Sequence, residues 1–266
     1  MPKAKKLFVC TACGYESPRW YGKCPGCDAW NTMEETVAAA AETLPAKPQK
    51  QRGGTGGAVK KIYEIEAAAQ THAPTGIGEL DRVLGGGIVD GSLMLVGGEP
   101  GVGKSTLLLQ TCAQMARKGQ RVLYVTGEES LEQVALRASR LGLPVGRVRV
   151  AAETSIDRVC LLAGAERPAV LVVDSVQVMH VQGVDSAPGS VSQVREAAAA
   201  LTQFAKRTGV AVFLVGHVTK DGTLAGPRVL EHCVDCSLML EAAHDQRFRM
   251  LRCQKNRFGA VNEIGR

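Results

Sequence analysis

An α/β fold, with a mainly parallel twisted sheet and a small four-cysteine module ahead of it, is the architecture this sequence predicts. Three observations carry that expectation. Two Cys-x2-Cys knuckles fall within the first 27 residues. A glycine-rich loop, "GEPGVGKS" from Gly98 to Ser105, lies between an apolar run and a helical pattern. Beyond it, apolar runs that end on polar residues alternate with helix-like stretches, as parallel strands joined by crossover helices do. With 266 residues, 45% of them hydrophobic, the chain is long enough for one substantial core plus an accessory module.

The knuckles are Cys10/Cys13 and Cys24/Cys27, with ten residues between the pairs. Four thiolates at that spacing suit one tetrahedral ion, and zinc is the expectation. The intervening "GYESPRWYGK" is rich in Gly, Pro and aromatics, which fits two tight turns wrapped on a metal better than a hydrophobic core. A pair of disulfides is the competing arrangement and fits poorly with a reducing compartment. No apolar run approaches membrane-spanning length and no apolar stretch precedes the first cysteines, so a cytoplasmic, non-membrane protein is expected. The formal charge is +6, yet ten Lys or Arg face only five Asp or Glu up to Lys61. That bias suits a weak nucleic-acid footprint or an ordinary solvated basic tail. From Thr36 to Lys61 the Ala, Pro and Gly-rich composition reads as a flexible linker. The expected division is a C4 finger over 1–35, a linker over 36–61 and an α/β domain over 62–266.

The α/β domain opens with the strand "SLMLV", followed by Gly98, Glu99, Pro100, Gly101, Val102, Gly103, Lys104 and Ser105, with Thr106 next in the helix. This is the GxxxxGK[ST] pattern in its strand–loop–helix context. Its glycines let backbone N–H groups turn toward phosphates at a helix N-terminus, Lys104 adds charge, and the Ser105 hydroxyl suits magnesium. "RVLYVT" is the next strand, and Glu128 and Glu129 follow at its carboxyl end, where ligands of open parallel sheets bind. Glu128 is assigned to orient or deprotonate an attacking water. Either glutamate could instead stabilise the dipole of the helix that follows. "AVLVVD" ends in Asp174, a Walker B pattern expected to share the magnesium. A helix over Val191 to Arg207 and the strand "VAVFLVGH" continue the alternation, and His217 ends that strand, where it could sense a γ-phosphate or simply be a satisfied surface histidine. "CVDCSLMLEA", "RFRMLRCQKN" and "AVNEIG" read as strands closing one edge; their cysteines, with Cys112 and Cys160, read as structural.

The run "TGIGELDRVLGGGIVDGSLMLVGGEPGVGKST" resembles the RecA-like ATPase superfamily, which includes RecA, KaiC and relatives of replicative helicases. The four-cysteine finger, "VGHVTKDGTLAGPRVLEH" and "KNRFG" narrow the likeness to the RadA (Sms) family of bacterial DNA repair and recombination proteins, over essentially the whole chain. That family carries a following Lon-protease-like domain which this sequence lacks. The resemblance implies a RecA-like P-loop ATPase using ATP, Mg2+ and Zn2+, assembled as a homo-hexameric ring. It implies a motor that moves on single-stranded or branched DNA, by branch migration or strand translocation, with a RecA-type recombinase as partner.

The same resemblance implies that KNRFG sits at the subunit interface beside a neighbour's nucleotide. Lys255 and Arg257 then act in trans as a two-pronged cation, projecting to one face of a strand while Asn256 projects to the other. An arginine in that role is worth on the order of 10³–10⁵ in rate; an ordinary basic strand is the alternative. Loops after Asp174 and His217 correspond to those that track single strands in RecA-like rings, which makes Lys220 and Arg228 candidates for phosphate contacts. A KaiC-like signalling ATPase or autokinase, or a nucleotide-gated adaptor with little turnover, shares the nucleotide loop. The finger and KNRFG count against the first, and steady phosphate release would count against the second.

Overall fold

The computed structural model describes residues 6–10, 16–17, 19–25, 29–37, 71–217, 227–242, 248–261 and 263–266 of the chain. Cys13, Cys27 and Lys220 lie outside those residues, as does most of the expected linker. Two compact units are present, Met1–Gln70 and Thr71–Arg266.

In the first unit β1 (Lys6–Cys10) pairs antiparallel with β2 (Glu16–Ser17) on one side and β3 (Met33–Val37) on the other. β3 continues two residues past position 35, where the finger was expected to end. The Cys24 amide donates to the Ala29 carbonyl (2.8 Å), and the Asn31 amide donates to the Gly22 carbonyl (2.8 Å). Cys10 and Cys24 are buried with Met33 in the small core of this unit.

The second unit begins with the short antiparallel pair β4 (His72–Ala73) and β5 (Ile88–Val89), which brackets α1 (Gly78–Leu84). There follow β6 (Leu93–Gly98), α2 (Lys104–Arg117), β7 (Val122–Thr126), α3 (Leu131–Arg140), β8 (Val148–Ala152), α4 (Ile156–Glu166) and β9 (Val170–Asp174). The chain continues through α5 (Val191–Thr208), β10 (Ala211–His217), α6 (Pro227–Cys233), β11 (Cys236–Ala242), β12 (Arg249–Asn256) and β13 (Ile264–Gly265). The sheet order is β13-β12-β11-β6-β10-β9-β7-β8. β11, β6, β10, β9, β7 and β8 run parallel; among the described residues the antiparallel pairings of this sheet are β11 with β12 and β12 with β13, at one edge. The mainly parallel sheet read from the sequence is thus present, and no helix falls between β11 and β12 or between β12 and β13 among the described residues.

Alternating residues of each central strand feed two cores. Met94, Val96, Val122 and Tyr124 face α1, α2 and α3, while Leu93, Leu95, Leu123 and Val125 face α4, α5 and α6. Burial on both faces is why these strands read as continuous apolar runs rather than alternating ones. Fully burying one such Leu or Val contributes roughly 1.5–3 kcal/mol, so the two layers anchor the strand ends that carry the polar groups. Cys233 and Cys236 belong to opposite layers, so their Cys-x2-Cys spacing does not bring them to a common ion. Cys112 is fully buried, and burial pushes its thiol up to about 12, which keeps it protonated and inert.

Candidate nucleotide site

The carboxyl ends of β6, β7, β9 and β10 deliver the polar groups predicted there. Gly98 leaves β6 at φ 153°, and a Cβ built on it would lie 2.4 Å from the Leu240 carbonyl of β11, so only glycine fits between the strands. Gly103 caps α2 at φ 110° and turns the loop into the helix, aiming the first unpaired amides of α2 outward. Glu99, Pro100 and Gly101 form the exposed crest of the loop, whereas Lys104 is buried. The Lys104 ammonium donates to the Gly98 and Glu99 carbonyls, each at 2.9 Å. Burial pulls its pKa down from the usual lysine value, and the negative charges of Asp174 and Glu128 oppose that pull. Both carboxylates are therefore near enough to the lysine for their charge to act on it.

Glu128 and Glu129 have separate environments. Ser175 donates a short hydrogen bond to Glu128, and His217 Nε2 lies 3.3 Å from the same carboxylate oxygen. The hydrogen bond with His217 is the main influence holding the Glu128 carboxyl below its usual range; burial opposes it, and Ser175 and Lys104 reinforce it. Glu129 turns away: its carboxylate pairs with Arg137 of α3, and its amide donates to Thr126 Oγ1 at 2.9 Å. Neither glutamate caps α3, because Ser130 and Gln133 form a reciprocal capping box there. His217, read from the sequence as a possible phosphate sensor, sits against Glu128.

Asp174 is buried at the tip of β9, accepts a short hydrogen bond from the Tyr124 hydroxyl, and is tied to the next strand by the Gly127 amide (2.8 Å). Burial first, and the charge of Asp174 second, keep the Tyr124 hydroxyl protonated, so its hydrogen is available to the carboxylate. Ser105, in the first turn of α2, and Asp174 supply a hydroxyl and a carboxylate oxygen, a donor set that fits magnesium. Cys10 and Cys24, fourteen positions apart in sequence yet in one buried cluster, are the described half of a thiolate set that fits a metal ion.

KNRFG lies elsewhere. Lys255 is opposite Ser237, which is opposite Leu95, so it stands three residues below Gly98 and two strands across from it. That is about 10 Å down the sheet and about 10 Å sideways from this chain's own nucleotide loop. Strand β12 ends at Asn256, so Arg257 is the first residue beyond the ladder rather than part of it. The two cations nevertheless share a face. Lys255 donates to the Glu231 carbonyl (2.5 Å) at the end of α6, and Arg257 donates to Asp235 Oδ1 (3.2 Å). Asn256 points the other way, donating to the Leu84 carbonyl of α1 (3.2 Å) and accepting from the Phe258 amide (2.9 Å). Arg228 is in α6, with its side chain outside what the structure describes.

Sequence reading missed several partners. Ser175 directly follows Asp174, and that adjacency was its only signal. Asp235 accepts from Lys206, Arg257 and the Leu93 amide, and Arg249 donates to the Val102 carbonyl of the nucleotide loop (3.1 Å). Their partners are distant in sequence, and only the sheet brings them together.

Both parts of the chain have counterparts among known protein families. A model of an AAA domain matches residues 64–223, and a model of a rubredoxin metal binding domain matches residues 8–35. The chain is 56% identical over 270 residues to a protein of Escherichia coli (strain K12) named DNA repair protein RadA. Proteins of the same name from Salmonella typhimurium (strain LT2) and Bacillus subtilis (strain 168) are 55% and 47% identical. Each comparison takes in the whole of this chain and 58% of the relative, so the chain spans a little over half the length of these proteins.

Proposed function

The chain belongs to the AAA domain family, and from that premise we propose that it is an ATP-hydrolysing motor of DNA repair and recombination, working as a ring of identical subunits. The observation that carries the reading is the convergence of Lys104, Glu128 and Asp174 at one end of the sheet. The α2 amides and Lys104 bind the β- and γ-phosphates and neutralise their charge. Glu128, kept ionised and oriented by Ser175 and His217, accepts the proton of the attacking water. Magnesium held by Ser105 and Asp174 would offset phosphate charge during transfer. Tyr124 fixes the Asp174 carboxylate from behind.

Lys255 and Arg257, on a face remote from their own nucleotide loop, serve the nucleotide of a neighbouring subunit in a head-to-tail contact that closes into a homo-hexamer. The substrate is single-stranded or branched DNA, with Lys220 and Arg228 gripping its backbone, and the work is branch migration or strand translocation beside a RecA-type recombinase. The name shared by the relatives supports the repair setting. A zinc ion on Cys10, Cys13, Cys24 and Cys27 would tie the N-terminal knuckles together. The reading sets the chain in the cytoplasm; among the described residues no helix is long and apolar enough to cross a membrane.

The test is phosphate release by the purified chain with and without single-stranded DNA. Hydrolysis that rises on adding the strand is the expected outcome. Hydrolysis indifferent to DNA would remove the motor and leave a plain ATPase.

A further inference from the structure

We propose that the end of the sheet opposite the nucleotide loop carries a second DNA-binding face, one that takes the sugar-phosphate backbone of a duplex. The proposal rests on the DNA-engaging reading above and adds a site to it. The loop from α2 to β7 reads Arg117-Lys118-Gly119-Gln120-Arg121, and the segment from the end of α3 into β8 runs from Arg140 to Arg149. Together they hold six cations, Arg117, Lys118, Arg121, Arg140, Arg147 and Arg149, and no Asp or Glu. All six are exposed.

The register Val122↔Val148 brings the two loops side by side at the amino ends of β7 and β8. Between them lies a cleft of about 340 Å³ lined by Arg121, Arg147, Arg149, Gly119 and Gly146. A Cβ on either of those glycines would meet nothing within 4 Å, so the cleft floor is open to a bulky ligand. Arg149 already has a carboxylate partner, Glu166 of α4; Arg121 and Arg147 line the same cleft. β7 is five residues long, so this face lies roughly 16 Å from the glutamate at the strand's other end.

The chemistry selects the ligand. Five of the six cations are arginine, whose planar fork matches phosphate oxygens. Neither loop contains an aromatic residue on which unpaired bases could stack, which favours a duplex backbone over a single strand. No large hydrophobic side chain is exposed in either loop, so the apolar wedge of a membrane-surface site and the apolar centre of a protein interface are both lacking. A backbone-only grip is independent of sequence and steeply dependent on salt.

The experiment measures binding of a labelled blunt duplex and of a single strand by fluorescence anisotropy across a potassium chloride series. Wild type is compared with Arg121→Gln/Arg147→Gln and with Arg121→Lys/Arg147→Lys, substitutions at exposed positions that keep or remove charge without touching either core. Each lost phosphate contact should make the slope of log affinity against log salt shallower by about 0.9, so by about 1.8 for the Gln pair, and duplex affinity should fall at least about tenfold. The Lys pair should keep the wild-type slope, and DNA-free ATP hydrolysis should be equal in all three. An unchanged slope in the Gln pair overturns the second face while single-strand binding by wild type leaves the motor standing. Wild type that binds neither DNA overturns the DNA reading itself. Loss of binding to anionic lipid vesicles with duplex binding intact would reassign the face to a membrane and also overturn the proposal.

Discussion

Glu128 and Glu129 are neighbours in the chain and differ in everything that matters for chemistry. One faces Lys104, Ser175 and His217; the other is spent on Arg137. Glu128→Gln should therefore bind ATP yet lose hydrolysis by roughly 10²–10⁴-fold, the usual worth of general-base catalysis. Glu129→Gln should keep turnover and lose about 1 kcal/mol of stability with its half-buried ion pair. Nucleotide binding and steady-state phosphate release on both variants check this, and normal turnover by Glu128→Gln would transfer the role. The pH dependence has a definite sign. Glu128 is held below the usual carboxyl range, so its charged form persists below the ordinary value and is lost only as pH falls through the lowered one. His217→Ala removes the main cause of that lowering and should move the acid limb of the pH–rate profile upward. A limb that stays in place would detach His217 from the glutamate's ionisation. The sequence favoured Glu128 but could not decide against Glu129, because the two are separated by Arg137, eight residues after Glu129, and by Ser175 and His217 from other strands.

At the scale of elements, the nucleotide loop, β7, β9, α5 and β10 were legible because continuous apolar runs and a fixed loop pattern mark them. β8 and α4 were not. β8 is an edge strand of five residues, VRVAA, in which one Arg interrupts small apolar side chains and every residue stays at least partly exposed, so it makes no long apolar run. α1 spans only seven residues between glycines, too short for a helical period to register. The KNRFG turn was legible as an alternation, but not its anchorage. Asn256 ties it to the last carbonyl of α1 and to the Phe258 amide. Asn256→Ala should cost about 1–3 kcal/mol, since it leaves a part-buried carbonyl without its donor, and denaturant unfolding measures it. An unchanged midpoint would mean that the turn is held by the backbone alone. The Asp235 cluster had no local signature at all, because Lys206, Leu93 and Arg257 reach it from three different elements.

For the whole molecule, the two units answer to separate tests. Metal content of the purified chain should be one zinc per subunit and should drop in Cys24→Ser; equal zinc in both proteins would remove Cys24 from the ligand set. The proposed ring rests on where charge stands in the sheet. Lys255 and Arg257 lie toward the amino ends of the parallel strands while the nucleotide loop lies at the carboxyl end; on the proposed function, a complete hydrolytic site then takes residues from two copies. Arg257→Ala should bind ATP without hydrolysing it, and Lys104→Ala should do neither. The most direct measurement is ATP hydrolysis by a mixture of these two inactive proteins after subunit exchange, followed with a labelled subunit. Mixed rings pair the intact nucleotide loop of the Arg257→Ala subunit with the intact cations of the Lys104→Ala subunit, so partial recovery of activity is the expected result. Demonstrated exchange with no recovered hydrolysis would contradict the shared site and return the two cations to the local roles they hold with Glu231 and Asp235.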